Sequence, residues 1–256
     1  MLSEPTAPAA PLLPAQPGDT FEAAVVRAAM VARLEESGGL GPGPVREALL
    51  TLPRQLLMPQ AYARRSAPDE TPPRWDLLDF SRPADLAELL ERLHCVGSVA
   101  IQHDGEPILG RVPGPRRRGA ITAMSSTMSV TVGLLQQLDL RPGQRVLDVG
   151  TGPGVTAAAC FMCGGEGVVT LDIDRHVTAA AHERLSDLGY RPATVTGDGT
   201  TGWADAGPLT GSSSPSTSAT CRRPASPNWN SRTSAYACNS RRRTTDCPPH
   251  GPRPAS

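Results

Sequence analysis

The stretch VLDVGTGPGVTAA, from Val146 to Ala158, decides the fold. An apolar run ends in glycines at alternate positions, Gly150, Gly152 and Gly154, and an alanine-rich run follows. Glycine adopts backbone angles that other residues avoid, and it lets a ligand come close to the main chain. The pattern therefore predicts a strand, a tight turn, and a helix whose first N–H groups face a ligand.

The same alternation continues along the chain. GVVTLDID predicts a second strand, VTAAAHERLSDLG a second helix and ATVTGDG a third strand. Strands that alternate with helices indicate a parallel α/β sheet, in which ligands bind at the carboxyl ends of the strands. Asp172 ends the second strand, and Asp198 with Gly199 ends the third, so we expect these residues at that edge.

Acids at these positions point to a nucleoside ligand. An acid about twenty residues after a glycine-rich turn commonly accepts hydrogen bonds from ribose hydroxyls, which predicts that role for Asp172. A carboxylate at Asp198 can meet an adenine. The spacing G-x-G-x-G differs from the pyrophosphate-binding G-x-G-x-x-G and suits a nucleoside whose other end is not a diphosphate. The alternative is that all three segments are ordinary tight turns of an α/β sheet.

Residues 21–118 predict a helical region with a hairpin. Helical apolar spacing runs through FEAAVVRAAMVARLEESGGL, GPVREALLTLPRQLLMP and ADLAELLERLH. TPPRWDLLDFSRP and VPGPRRRG are expected to be loops, and SVAIQHDGEPILGR a hairpin that turns at Asp104 and Gly105. A helix is expected in SSTMSVTVGLLQQLDL, where a hydroxyl-rich turn starts it.

Composition excludes several function classes. The net charge of the 256 residues is +0, which gives no whole-chain signal for nucleic acid or a membrane surface. No run reaches the roughly 18 apolar residues of a membrane span, so we expect a cytoplasmic protein with no nucleic-acid and no membrane partner. Residues 1–20, rich in Pro and Ala, are expected to be a disordered lead and not a signal peptide.

The cysteines do not form a compact framework. Cys160 and Cys163 make a CxxC inside a predicted helix, where two small buried thiols are expected in preference to a redox or metal pair. CPPH, from Cys247 to His250, has a metal-like spacing in a segment that is otherwise poor in apolar residues.

Three motifs now carry a family resemblance. VLDVGTGPG, VVTLDID and VTGDGTTGW, at these spacings, resemble the S-adenosylmethionine-binding motifs of class I methyltransferases. MVARLEESGGLGPGPVREALLTLPRQLLMP and SSTMSVTVGLLQQLDLRPGQRVLDVGTGPG resemble the protein-L-isoaspartate O-methyltransferase family, so the resemblance covers residues 26–59 and 119–209. It implies a Rossmann-like α/β fold and the cofactor S-adenosyl-L-methionine. It also implies an enzyme that methylates an isoaspartyl or aspartyl carboxylate of a protein or peptide substrate.

The resemblance also implies the site residues. The cofactor turn would comprise Asp148, Gly150, Thr151, Gly152 and Gly154. Asp172 would bind the ribose, while Asp198 and Gly199 would lie near the adenine.

The catalytic position implied by the resemblance is Ser126, which falls where the family has the serine of its Thr-Ile-Ser-Gln-Pro segment. The local sequence Ser125-Ser126-Thr127-Met128 lacks the Gln-Pro, so Ser125 is a rival for the role, and a helix cap is the alternative for both serines. A carboxylate oxygen attacks the sulfonium methyl in line, so catalysis is mainly positioning and no metal is expected.

The C-terminal segment departs from the family pattern. From Gly211 to Ser256 there is no Leu, Ile, Val, Met or Phe, so we expect the parallel sheet to be truncated after its third motif strand. Back-translation of TGSSSP and WNS in another frame gives residues that suit the family, which leads to the hypothesis that the reading frame slips between about residues 206 and 209. The expected organisation is a lead at 1–20, an N-terminal substrate-side region at 21–118, a partial cofactor-binding core at 119–209, and a disordered, frame-shifted tail at 210–256.

Three functions remain open at this point. The first is the isoaspartyl repair type of methyltransferase. The second is a methyltransferase that modifies an aspartate of a peptide natural product, favoured by the altered serine segment and by a long insertion at 75–118 that could form a modified substrate lid. The third is a truncated, non-catalytic remnant.

Overall fold

The structure, a computed structural model, describes residues 18–95, 97–199 and 211–213. The chain begins with three helices, α1 (Phe21–Glu36), α2 (Pro44–Thr51) and α3 (Arg54–Leu57). Thr20 caps α1, since its hydroxyl accepts the N–H of Ala23. α1 and α2 confirm the helices that the apolar spacing predicted in this part of the sequence.

An antiparallel sheet follows the first helices. Its strands are β1 (Gln60–Arg64), β2 (Arg74–Asp79), β3 (Val99–His103), β4 (Gly114–Arg117) and β5 (Ile121–Ser125), with α4 (Pro83–Leu93) between β2 and β3. The strand order is β4-β2-β1-β3-β5. The N-terminal region therefore contains a five-stranded sheet in addition to its helices.

The hairpin prediction was wrong in its second strand. Asp104 and Gly105 do turn the chain, and both have positive φ angles. The segment after the turn does not return as a strand, and β3 pairs instead with β5, where His103 lies opposite Ile121. β2 and β4 lie in segments expected to be loops. Their backbone groups are paired with each other across the sheet, which compensates for proline and charged residues that disfavour an isolated strand.

The parallel sheet has the predicted alternation. After α5 (Met128–Leu138) come β6 (Gln144–Val149), α6 (Val155–Met162), β7 (Gly165–Asp172), α7 (Arg175–Asp187) and β8 (Ala193–Thr196). All pairs in this sheet are parallel. The fold is thus the expected α/β class, a Rossmann-like parallel sheet with flanking helices.

This sheet contains one strand more than expected. β9 (Gly211–Ser213) pairs in parallel with β6, so the order is β8-β7-β6-β9, and the sheet is not truncated after its third motif strand. The prediction failed because it required apolar side chains, whereas a short strand can be added through backbone hydrogen bonds alone. Of the expected lead at residues 1–20, residues 1–17 lie outside the described residues. The rest of the tail, including CPPH, lies outside them too, and the frame-slip hypothesis stays a prediction.

One apolar core joins the two halves of the molecule. Leu34 of α1, Leu49 of α2 and Leu93 of α4 are buried in the same cluster as Leu135 of α5 and Leu185 of α7. A smaller cluster, Leu147, Val149, Val169 and Leu171, lies along β6 and β7. None of the helices in the described ranges is long and apolar enough to cross a bilayer.

A buried arginine and a buried histidine lie among the N-terminal helices. Arg54 is 1% exposed and donates to the carbonyl of Leu93. His94 is also 1% exposed, and its Nδ1 lies 2.9 Å from the carbonyl oxygen of Leu90. Burial, with a further contribution from Arg54, lowers the pKa of His94 to about 4. The imidazole is therefore neutral in the folded chain at neutral pH.

The burial of His94 predicts that the free energy of unfolding depends on pH. Between pH 6.5 and about 4 the unfolded chain binds a proton at His94 that the folded chain does not, so the free energy of unfolding decreases as the pH falls through that window. The decrease due to His94 amounts to about 3 kcal/mol at most. Urea unfolding at pH 7 and pH 4.5 measures it. His94→Gln removes the effect and His182→Gln, at an exposed position of α7, retains it; equal pH dependence in both variants would contradict the assignment.

The start of α6 predicts a second stability effect. Gly154 has φ +86°, and a Cβ there would lie 2.8 Å from Cδ1 of the buried Leu185. Gly154→Ala is expected to lower the free energy of unfolding by about 1–3 kcal/mol, through strain and overpacking. Gly133→Ala is the matched control, since its Cβ meets nothing within 4 Å inside α5, and it should stabilise by up to about 1 kcal/mol. Chemical denaturation measures both, and equal effects would refute the argument.

Candidate functional site

The glycine turn connects β6 to α6 by backbone contacts. The N–H groups of Gly150 and Thr151 both donate to the carbonyl of Leu171, at 2.8 and 3.1 Å. Gly150 has φ +95°, and a Cβ placed on it would meet nothing within 4 Å. The turn is therefore fixed to the end of β7 and leaves open space at Gly150.

The buried carboxylate of Asp148 is connected to this turn through Thr170. Asp148 is fully buried, and the Thr170 hydroxyl donates to its Oδ2 at 2.8 Å. The same hydroxyl lies 2.8 Å from Oγ1 of Thr151, in the turn itself. The structure thus places Asp148 between β6 and β7, where it positions Thr151 and does not line the cleft in front of the turn.

Asp172 lies where the sequence predicted it, at the carboxyl end of β7. Its Oδ2 accepts the N–H of Gly152 at 3.2 Å, and its Oδ1 accepts the N–H of Asp174 at 3.1 Å. Burial raises the pKa of Asp172, the neighbouring Asp174 carboxylate adds to the rise, and the two amide hydrogen bonds oppose it. The result is a carboxylate with fixed orientation beside the glycine turn.

The third predicted motif comes to the same edge. The N–H of Gly197 donates to the carbonyl of Asp172 at 2.9 Å, directly after β8. Asp198 is exposed there, whereas Gly199 is buried so closely that a Cβ would lie 2.4 Å from Cγ1 of Val149. The close approach of this backbone to β6 explains why the position is glycine.

The serine pair faces the glycine turn across a cleft. Ser125, the last residue of β5, is 4% exposed, and Ser126 is half-buried. The cleft is lined by Met124, Ser125, Ser126, Thr131, Gly150, Thr151, Gly152, Pro153, Val155 and Thr156. Thr127 holds the N-cap position of α5 and makes no side-chain capping hydrogen bond, so neither serine occupies the cap.

The position of β9 shows that the cleft lies where the strand order of the parallel sheet reverses. β7 and β8 lie on one side of β6 and β9 on the other, so the strand order reverses at β6. Ligands of open α/β sheets bind in the crevice at such a reversal, outside the carboxyl ends of the strands. Gly150–Gly154, Asp172 and the loop after β8 all lie at this edge.

The sequence analysis missed two residues that are hydrogen-bonded to the groups around Asp172. Asp174 caps α7, and its Oδ1 accepts the N–H of His176 at 2.7 Å. Gln102 of β3 donates to the other oxygen of Asp174 at 3.1 Å. The Asp before a predicted helix could have identified the cap, but nothing in the sequence signals the contact from Gln102.

The CxxC is buried as predicted. Cys160 lies inside α6 and Cys163 directly after it, and both are free thiols. Burial raises the pKa of Cys160, and it raises that of Cys163 to about 11. Thiols that stay protonated are poor nucleophiles and poor metal ligands, which agrees with a packing role.

Comparisons with known proteins match this part of the chain. Residues 117–213 match the family model of protein-L-isoaspartate(D-aspartate) O-methyltransferase. The protein-L-isoaspartate O-methyltransferase of Methylorubrum populi is 38% identical over 98 residues, which are 38% of this chain and 44% of the relative. That of Rhizobium meliloti is 42% identical over 66 residues, 26% of this chain and 32% of the relative.

A solved protein-L-isoaspartate O-methyltransferase gives a TM-score of 0.49 at 20% identity, over 73% of this chain and 47% of that chain. The chain spans less than half the length of these curated relatives. The family match begins at the end of β4 and extends into β9, and it does not include residues 26–59. Over residues 117–213, the chain is similar to the protein-L-isoaspartate(D-aspartate) O-methyltransferase family.

Proposed function

We propose that this chain binds S-adenosyl-L-methionine at the carboxyl edge of the parallel sheet and transfers its methyl group to a carboxylate of a protein or peptide. The observation that carries the proposal is the joint position of three groups. Ser125 and Ser126 line one cleft with Gly150–Gly152, and the Gly152 amide donates to the Asp172 carboxylate. The match of residues 117–213 to the protein-L-isoaspartate(D-aspartate) O-methyltransferase family model supports the same cofactor and reaction.

The residues present fit the cofactor. Open space beside Gly150 allows a ligand to approach the backbone, and the first turn of α6, at Val155 and Thr156, contributes N–H groups to the cleft. Asp172 has both oxygens oriented by amides, which leaves lone pairs for ribose hydroxyls. Asp198, which follows β8 in the chain, is the expected contact for the adenine.

The chemistry demands little beyond positioning. The bound cofactor supplies an electrophilic methyl group on a sulfonium, and its departure leaves a neutral thioether. The hydroxyls of Ser125 and Ser126 donate to the acceptor carboxylate and orient one of its oxygens for in-line attack.

The acceptor is proposed to be an isoaspartyl or aspartyl carboxylate of a protein or peptide. The zero net charge favours such an acceptor over nucleic acid, and we propose that the protein acts in the cytoplasm. A peptide natural product is the second candidate acceptor. The missing Gln-Pro after Ser126 favours it, as does an antiparallel sheet whose first three strands all lie outside the family match.

Asp172→Asn tests the cofactor site. Loss of the ionised acceptor is expected to weaken S-adenosylhomocysteine binding by about ten- to a hundredfold, because charge-assisted hydrogen bonds to the ribose are lost. Burial raises the pKa of Asp172, so wild-type affinity should fall as the pH is lowered through that raised pKa, at a higher pH than for an ordinary aspartate. The variant should show no such dependence. Calorimetric titration at several pH values measures both effects.

Asp187→Asn, at the exposed end of α7, is the control and should bind like wild type. A wild-type chain whose melting temperature does not rise with S-adenosylhomocysteine would contradict the cofactor proposal and favour the non-catalytic remnant.

Ser125→Ala and Ser126→Ala test the acceptor side. Removing the hydroxyl of the serine that orients the carboxylate is expected to lower the rate of methyl transfer by about tenfold or more. The affinity for the cofactor should not change, because this serine acts on the acceptor alone. Ser129→Ala, at an exposed position of α5, is the matched control. Transfer to an isoaspartyl peptide and to its aspartyl twin is measured in parallel. Preference for the isoaspartyl peptide supports the repair type, preference for the aspartyl twin supports the natural-product type, and full activity in both serine variants would refute their role.

A further inference from the structure

Gln102 is a buried amide with every polar atom in use. It lies in β3 and is 0% exposed. Its Nε2 donates to the carbonyl of Glu106 at 3.0 Å and to Oδ2 of Asp174 at 3.1 Å. Its Oε1 accepts the Thr122 hydroxyl at 2.8 Å.

Thr122 determines which way this amide points. The Thr122 hydroxyl accepts the N–H of Gly105 at 2.9 Å, so its proton is directed to Gln102. The oxygen of the amide therefore faces Thr122, and the NH₂ group faces Asp174. Gln102 is thus held as a donor toward the parallel half of the molecule.

The local backbone favours this orientation. The ladder between β3 and β5 shifts register on both sides of Gln102, between Ala100 and Gln102 and again between Gln102 and His103. Such bulges redirect a side chain out of the regular alternation of a strand. The irregularity and the hydrogen bond to Asp174 occur at the same residue.

Asp174 transmits the contact to the carboxylate of the site. One oxygen of Asp174 accepts the N–H groups of His176 and Val177 at the start of α7, and the other accepts Gln102. The backbone N–H of Asp174 donates to Asp172, which in turn accepts Gly152. An unbroken chain of hydrogen bonds therefore joins β3 to the glycine turn.

We propose that Gln102 is a positioning residue for the cofactor ribose, which it orients by fixing Asp174 and, through Asp174, the carboxylate of Asp172. The inference rests on the proposed function, since it takes Asp172 as the ribose acceptor. It assigns a cofactor-directed role to a residue of the antiparallel sheet that lies outside the family match at 117–213. A neutral donor suits the place, because Asp172 and Asp174 are adjacent carboxylates that repel each other.

The test compares two ligands, S-adenosylhomocysteine and its analogue without the two ribose hydroxyls. Gln102→Leu should weaken binding of the hydroxyl-bearing ligand by about tenfold and leave the affinity for the analogue within about twofold, because the lost orientation matters only to the hydroxyls. Gln136→Leu is the matched control. Gln136 also bridges distant segments, by hydrogen bonds with Gly39 and Gly41, and its loss should not change the ratio of the two affinities.

Thr122→Val provides a second variant at an exposed position, in case Gln102→Leu does not fold. It removes only the hydroxyl that orients the amide and should lower the same affinity ratio by a smaller factor. In the ligand-free protein, amide exchange followed by NMR should be faster at Gly152 and His176 in Gln102→Leu than in Gln136→Leu, since these amides donate to Asp172 and Asp174.

The outcomes separate the two proposals. If the wild-type chain binds neither ligand, the proposed function fails and this inference fails with it. If the wild type prefers the hydroxyl-bearing ligand and Gln102→Leu retains that preference in full, this inference alone is overturned. A lowered ratio together with faster exchange at Gly152 supports it.

Discussion

The turn after β6 must change the chain direction between a strand and a helix with backbone groups alone, and the candidate site depends on how it does so. The carbonyl of Leu171 accepts the N–H groups of both Gly150 and Thr151, which fastens the turn to the end of β7. The next residue along β7 is Asp172, which therefore arrives beside Gly152. Asp148 and Thr170 pair with each other next to the turn. Because buried polar groups must be paired, replacing one of them would leave the other without its hydrogen bond.

This local dependence explains how much could be predicted from the sequence. The alternation of strands and helices from Val146 onward, and the place of Asp172, follow from glycine spacing and apolar runs within short windows. The pairing of β3 does not, because the turn at Asp104 is real and yet the partner strand begins only at Ile121. Strand partners that are distant in the chain leave no local signal, and Gln102 makes its contact where that pairing shifts register.

The antiparallel sheet contributes side chains to the candidate site. Its last strand, β5, delivers Ser125 to the cleft, and β3 delivers Gln102 to the cap of α7. The antiparallel and parallel halves share one apolar core. The strands that carry Ser125 and Gln102 are therefore packed firmly against the parallel half. The cleft therefore lies where two sheets of different construction meet, one supplying the turn and the acid and the other supplying hydroxyls and a buried amide.

The far edge of the antiparallel sheet is formed by β4, Gly114–Arg117, which pairs only with β2 among the described strands. Pro115 has no N–H to offer to an incoming strand, and Arg116 with Arg117 adds positive charge on the same short segment. Prolines and charges at an open edge discourage pairing with another chain. The antiparallel sheet thus ends, on this side, in an edge that disfavours strand pairing between copies at high protein concentration.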